Sequence, residues 1–200
     1  MVWFEKHLRR ERMALLDFKL YRERGTHALT KFWTEKQETI KETDRIEFNF
    51  RDQGVMILGA HLSGKIDRVV MGENNSVTVV DYKTGKPKRD WTGKDDYEKT
   101  KLYEYERQLF YYKLLVENSR EFAHKYKVEK GVLDFVEPKD DKLYSLELDV
   151  TDKDKTARLQ NLIAVVYKHI MDLNFPDVSK YKPDLSGIKE FEEDLLEGIV

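Results

Sequence analysis

The spacing of apolar residues changes from helical to strand-like and back along this chain. Residues 3–42 are rich in Leu, Arg, Lys and Glu, with no proline and a single glycine, Gly25. That composition favours helix, and Gly25 is the predicted break between two helices. Ala28, Leu29, Phe32, Trp33 and Ile40 give the second helix an apolar face. The period then drops to two. Ile46, Phe48 and Phe50 alternate with polar residues, as in a half-buried strand. Residues 55–62 and 64–71 continue as extended chain, with Gly59 and Gly64 as predicted bend or bulge positions. Residues 72–76 read as a turn and 77–82 as the next strand, so this stretch is an antiparallel meander. Residues 87–99 mix Pro, Gly and charge, and read as a loop. Helix returns over 102–118, with Leu109, Tyr112 and Val116 inward. Residues 128–136 and 143–148 read as two later strands. Thr151 and Asp152 then cap a helix whose stripe is Leu159, Leu162, Ile163, Val166, Ile170 and Leu173, with Pro176 as its stop. From Ser186 a short amphipathic helix closes the sequence. The order predicts an α/β (α+β) fold, a central mixed β-sheet flanked by helices.

Composition narrows the chemistry. At 200 residues the chain is one domain with helical additions, able to bury a sizeable core. The predicted divisions are a helical segment over 1–43, a core over 44–150 and helices over 151–200 that pack on the core. Charged residues make up 37%, yet net charge is only -2. The overall balance therefore does not announce a nucleic-acid binder, although a local basic patch still can. Cysteine is absent. Disulfides, zinc–thiolate sites, iron–sulfur clusters and cysteine nucleophiles are excluded together, which fits a reducing cytosol and a cytoplasmic protein. No apolar run approaches membrane-spanning length, so no membrane association is expected. No Gly-x-x-x-x-Gly-Lys-Ser/Thr loop occurs, so there is no ATP site in this sequence.

The candidate chemistry lies in the meander. Gly64-Lys65-Ile66-Asp67-Arg68-Val69-Val70 is followed by Val79-Val80-Asp81-Tyr82-Lys83-Thr84-Gly85-Lys86. Asp67 and Asp81 are hard oxygen donors suited to Mg²⁺ or Mn²⁺. Lys83 stands two positions after Asp81, hence on the same face of an extended strand. A divalent ion beside an ammonium suits phosphodiester hydrolysis, where negative charge develops on phosphoryl oxygens. Two readings fit the spacing: a metal site on adjacent strands, or two surface carboxylates of a hairpin. Acids inside Val/Ile-rich strands are disfavoured unless they are solvated or used. Downstream, Lys86, Lys88, Arg89, Lys94, Lys99, Lys101 and Arg107 alternate with Trp91, Tyr97, Tyr103 and Tyr105, among many acids. This stretch fits a groove tracking a phosphate backbone or a solvated mixed-charge loop equally well. The acids from Glu190 to Glu197 suggest an end that points away from DNA.

These motifs, followed by Gln108-Leu109-Phe110-Tyr111-Tyr112, resemble the PD-(D/E)XK nuclease domain of the RecB type, found at the C-terminus of UvrD/Rep-like superfamily 1 helicases. The core of the resemblance covers residues 45–116. It implies a restriction-endonuclease-like core and Mg²⁺-dependent (or Mn²⁺-dependent) hydrolysis of DNA. It further implies attachment to helicase domains of the same or a partner chain, acting in repair or recombination. Asp67 and Asp81 would be metal ligands, joined by the backbone carbonyl of Tyr82. Lys83 would activate water and offset charge. Gln108 and Tyr112, four apart on a helix, match the family's Gln-x-x-x-Tyr element, which supports the site and contacts DNA. Glu47 matches an acid often found on the first strand. The family's Gly-x-x-x-His element is not matched, since Gly25-Thr26-His27 brings its histidine too soon. The resemblance therefore implies a histidine upstream of Met1 in a longer helicase–nuclease. The alternative is a catalytically weak DNA-binding or interaction module.

Overall fold

The computed structural model describes all 200 residues. It contains helices α1 (Val2–Leu8), α2 (Leu15–Lys36), α3 (Asp96–Glu117), α4 (Lys153–Met171) and α5 (Leu185–Glu197). The strands are β1 (Arg45–Asn49), β2 (Met56–Ile57), β3 (Ala60–His61), β4 (Lys65–Met71), β5 (Ser76–Lys83), β6 (Lys127–Lys139) and β7 (Lys142–Asp149). Five strands form one sheet in the order β1-β4-β5-β6-β7, flanked by helices, while β2 and β3 pair separately. β1 with β4 and β4 with β5 are antiparallel. β5 is joined to its neighbour β6 through α3, a connection long enough for the crossover that parallel strands need. β6 and β7 turn back tightly at Asp140 and Asp141, whose φ values of 52° and 56° are those of a two-residue hairpin loop.

The chain clusters into two compact units. One comprises Met1–Glu42, Tyr82–Arg89 and Leu133–Leu146; the other comprises Thr43–Asp81, Asp90–Val132 and Glu147–Val200. In the first, the helix break falls between Leu8 and Leu15 and not at Gly25, which lies inside α2. The glycine serves packing: a Cβ there would meet the ring of Phe4 from α1 at 2.2 Å. Only Ala28 of the expected α2 face is buried, and Trp33 remains 59% exposed. Phe32 packs edge-on against Tyr82 with ring centroids 5.5 Å apart.

In the second unit, β1, β4 and β5 carry the buried side chains of Phe50, Ile66, Val69, Val77 and Val79 at or beside their strands, and α3 adds Leu109, Leu114 and Leu115. Two glycines let α3 sit close to the strands. A Cβ at Gly64 would meet Leu115 at 2.9 Å, and one at Gly131 would meet Leu109 at 2.9 Å. Gly64 is thus a close-approach position and not the expected bend, whereas Gly59 does turn the β2–β3 hairpin at φ 88°. α3 begins six residues before the expected start, because the Asp95 side chain accepts from the backbone N–H of Glu98 at 2.8 Å and caps it. Asp152 caps α4 as expected. α4 ends at Met171, ahead of Pro176, where Leu173 turns left-handed at φ 53° and Asn174 N–H donates to the His169 carbonyl.

Candidate active site

The register of the antiparallel strands decides where the two acids lie. Arg68 pairs with Val80 and Val69 with Val79. Continued by one step, this register sets Asp67 directly across from Asp81. Residues opposite one another in an antiparallel pair project to the same face, with Cβ atoms roughly 5 Å apart. The two carboxylates therefore share a face. Neighbouring Arg68 points to the other face. There it is buried and donates through Nε to Asp44 Oδ2 at 2.8 Å, tying β4 to the chain entering β1.

α3 holds the second acid. Gln108 Nε2 donates to Asp81 Oδ1 at 2.9 Å, and the Tyr112 hydroxyl donates to the same oxygen at 2.7 Å. Gln108 Nε2 also donates to the Tyr112 hydroxyl oxygen at 2.7 Å, closing a three-membered network. Asp81 is only 5% exposed, and its other oxygen, Oδ2, is buried and takes neither of these bonds. Burial, reinforced by the hydrogen bond to Asp81 and by the Asp81 and Asp67 charges, raises the Tyr112 pKa well above that of an ordinary phenol. Tyr112 thus stays a neutral donor that holds the carboxylate in one orientation.

β5 continues from Asp81 into Tyr82 and Lys83, its last residue. Lys83 is half-buried and lies two positions beyond Asp81 on the same strand. Glu47 sits on β1 at a position that the Ile46–Arg68 and Phe48–Ile66 pairs would set across from Asp67. However, Glu47 adopts φ 53°, which breaks the regular strand, and its carboxylate forms an ion pair with Lys65. No group of three or more His, Asp or Glu side chains is assembled that could hold a metal ion. His27 projects from α2, 63% exposed, toward Asp141 at 3.9 Å.

The donors at Asp67 and Asp81 suit a hard divalent cation. Mg²⁺ is usually bound through one or two carboxylates, with waters and substrate phosphates completing the shell. The Tyr82 carbonyl is a further oxygen of the same kind, one peptide beyond Asp81. Two residues missed in the sequence support this site. Asp44 anchors Arg68, and the only hint was an arginine inside an apolar strand. Glu192, on α5, is 4% exposed and accepts from Arg107 at 2.6 Å and from the Tyr103 hydroxyl. The acidic end thus turns one carboxylate inward against α3.

The model of the PD-(D/E)XK nuclease superfamily matches residues 2–182. The chain belongs to the PD-(D/E)XK nuclease superfamily. Such nucleases are phosphodiesterases that generally use divalent metals such as Mg²⁺. No curated protein matches the chain. Among solved structures, the crystal structure of SSO0001 is similar at 18% identity and a TM-score of 0.38, covering 74% of this chain. The chain spans 59% of the length of that protein. No helix of this superfamily member is long and apolar enough to cross a membrane.

Proposed function

We propose that this protein is a DNA nuclease of the RecB type, hydrolysing phosphodiester bonds with Mg²⁺ or Mn²⁺ at Asp67 and Asp81. The observation that carries the reading is the clamp of Gln108 and Tyr112 on Asp81 Oδ1, on a strand whose register with β4, continued by one step, brings Asp67 opposite. A divalent ion bound there supplies charge neutralisation at the phosphate and an activated water. Asp67 and Asp81 would hold it, and the Tyr82 carbonyl would offer a further oxygen. Gln108 and Tyr112 fix the Asp81 carboxylate so that it needs no reorganisation when charge develops. Lys83, on the same strand face as Asp81, orients the attacking water and offsets charge on the phosphorane. Attachment to UvrD/Rep-like helicase domains and a cytoplasmic role in repair or recombination complete the proposal, on the motif resemblance alone.

Lys83→Ala is the direct test. Cleavage of single- and double-stranded DNA in Mg²⁺ or Mn²⁺ should fall at least about a hundredfold, as for loss of one charge-stabilising group, with unchanged circular dichroism. Retained cleavage overturns the assignment of the site. A second reading, a catalytically weak DNA-binding module, is favoured by one observation: Glu47 is engaged with Lys65, leaving two acids at the site. Isothermal titration with Mn²⁺ separates the two. Binding that is lost in Asp81→Asn supports the nuclease, and no binding at millimolar Mn²⁺ supports the module.

A further inference from the structure

Gln108 faces two ways. It binds Asp81, and it also lines a groove of about 460 Å³ between α3 and α4. The groove walls include Leu62, Tyr111, Ile163, Val166 and Tyr167. Val166 is 38% exposed and Ile170 50%, so the apolar stripe of α4 is only partly covered along this groove. One aromatic wall is held rigidly. The Tyr111 hydroxyl donates to the Ser63 carbonyl at 2.8 Å, and its ring lies beside the backbone of Gly64. The β2–β3 hairpin contacts α4 beside the groove, and at its tip Leu58 is 66% exposed with φ 47°. A leucine there is an apolar residue held in a conformation that ordinarily favours glycine or asparagine.

We propose that this groove is a base-binding subsite: it takes nucleobases unstacked from the DNA strand whose phosphodiester lies over Asp67 and Asp81. The inference rests on the nuclease reading for its substrate. The lining excludes phosphate as the occupant, because it is largely apolar and its polar edge carries Glu104 beside Arg107, whose guanidinium is engaged by Glu192 at 2.6 Å. Two tyrosine rings in an apolar wall suit the π-face of a base, and such stacking is tolerant of sequence. Continuity with the acids through one side chain places a base in the groove next to the phosphate at the site. A base can enter only after leaving its stack, which costs least in an unpaired strand. The groove thus gives the site a preference for single-stranded or frayed DNA.

The test measures binding without metal, so that it does not depend on catalysis. Fluorescence anisotropy in EDTA compares a short oligothymidylate, the same oligonucleotide carrying a run of abasic sites, and a duplex of equal length. The proteins are the wild type, Tyr167→Ala and Tyr167→Phe. Tyr167→Ala and the abasic run should each weaken single-strand binding about tenfold. Together they should weaken it no further than either alone. Tyr167→Phe should retain binding, and the duplex should be indifferent to all changes. Additive losses, equal losses on the duplex, or no single-strand binding by the wild type would overturn the subsite. If the coupled losses occur but wild-type protein cleaves no DNA in Mg²⁺ or Mn²⁺, the nuclease reading fails and the subsite stands. If the protein cleaves DNA but the losses are not coupled, the subsite fails and the nuclease reading stands.

Discussion

Tyr112 is where packing and chemistry meet in one side chain. Its ring lies on the apolar face of α3, 8% exposed, while its hydroxyl donates to Asp81. Tyr112→Phe keeps the ring and removes one donor from a buried carboxylate. Urea unfolding at pH 7 should show a loss of about 1–3 kcal/mol, and cleavage should fall further than stability alone explains. The same phenol sets a pH dependence. Burial raises the Tyr112 pKa, and burial with the Glu192 hydrogen bond pushes that of Tyr103 up to about 12. A tyrosine ionises near pH 10 in the unfolded chain. The folded state therefore binds more protons above that pH, and the stability these groups contribute is intact below about pH 10 and is lost as pH rises through the folded values. Unfolding midpoints should fall between about pH 10 and 12, and Tyr103→Phe should flatten the slope.

At the scale of elements, α3 depends on what its neighbours lack. Gly131 on β6 leaves room for Leu109, and Gly64 ahead of β4 leaves room for Leu115. The helix that carries Gln108 and Tyr112 is thereby set at a height where both reach Asp81. Gly131→Ala would push a methyl to 2.9 Å from three atoms of Leu109. Overpacking of that kind costs roughly 1–3 kcal/mol. Since the displaced helix carries the clamp on Asp81, thermal unfolding should report the lower stability and cleavage should drop in the same variant.

Over the whole molecule, charge is paired more than it is displayed. Lys65 pairs with Glu47, Arg68 with Asp44, Arg89 with Asp140, Lys101 with Glu104 and Arg107 with Glu192. Five of the cations flanking the motifs are thus engaged by carboxylates, and Trp91 donates its indole N–H to the Glu147 carbonyl. Together with a net charge of -2, this leaves little field to steer DNA from a distance. Binding to an uncleaved duplex should show a shallow dependence of log K on log salt, with a slope on the order of -3 or less in magnitude. A steep slope would mean that these ion pairs open to phosphate.

The sequence by itself determined the acids, the lysine and the helix behind them. Asp67, Asp81, Lys83 and the four-residue spacing of Gln108 and Tyr112 are local facts, because strand alternation and helical periodicity fix which side chains share a face. The central sheet flanked by helices followed from the order of periods, and the cap at Asp152 is local chemistry that the sequence carries, whereas the cap at Asp95 lies inside the stretch that reads as a loop. Other features needed the folded chain. Gly25 looked like a break because glycine punctuates helices, yet the ring of Phe4, far away along the chain, is what requires it. Glu192 looked like part of a solvated acidic end, and only the packing of α5 brings it to Arg107 and Tyr103. The left-handed backbone of Glu47 and its ion pair with Lys65 likewise appear only in the folded chain. Above all, the meeting of Asp67 with Asp81 depends on register. A slip of one residue would send one carboxylate to the opposite face, and register is set by the hydrogen-bonded ladder and by which apolar side chains the sheet buries.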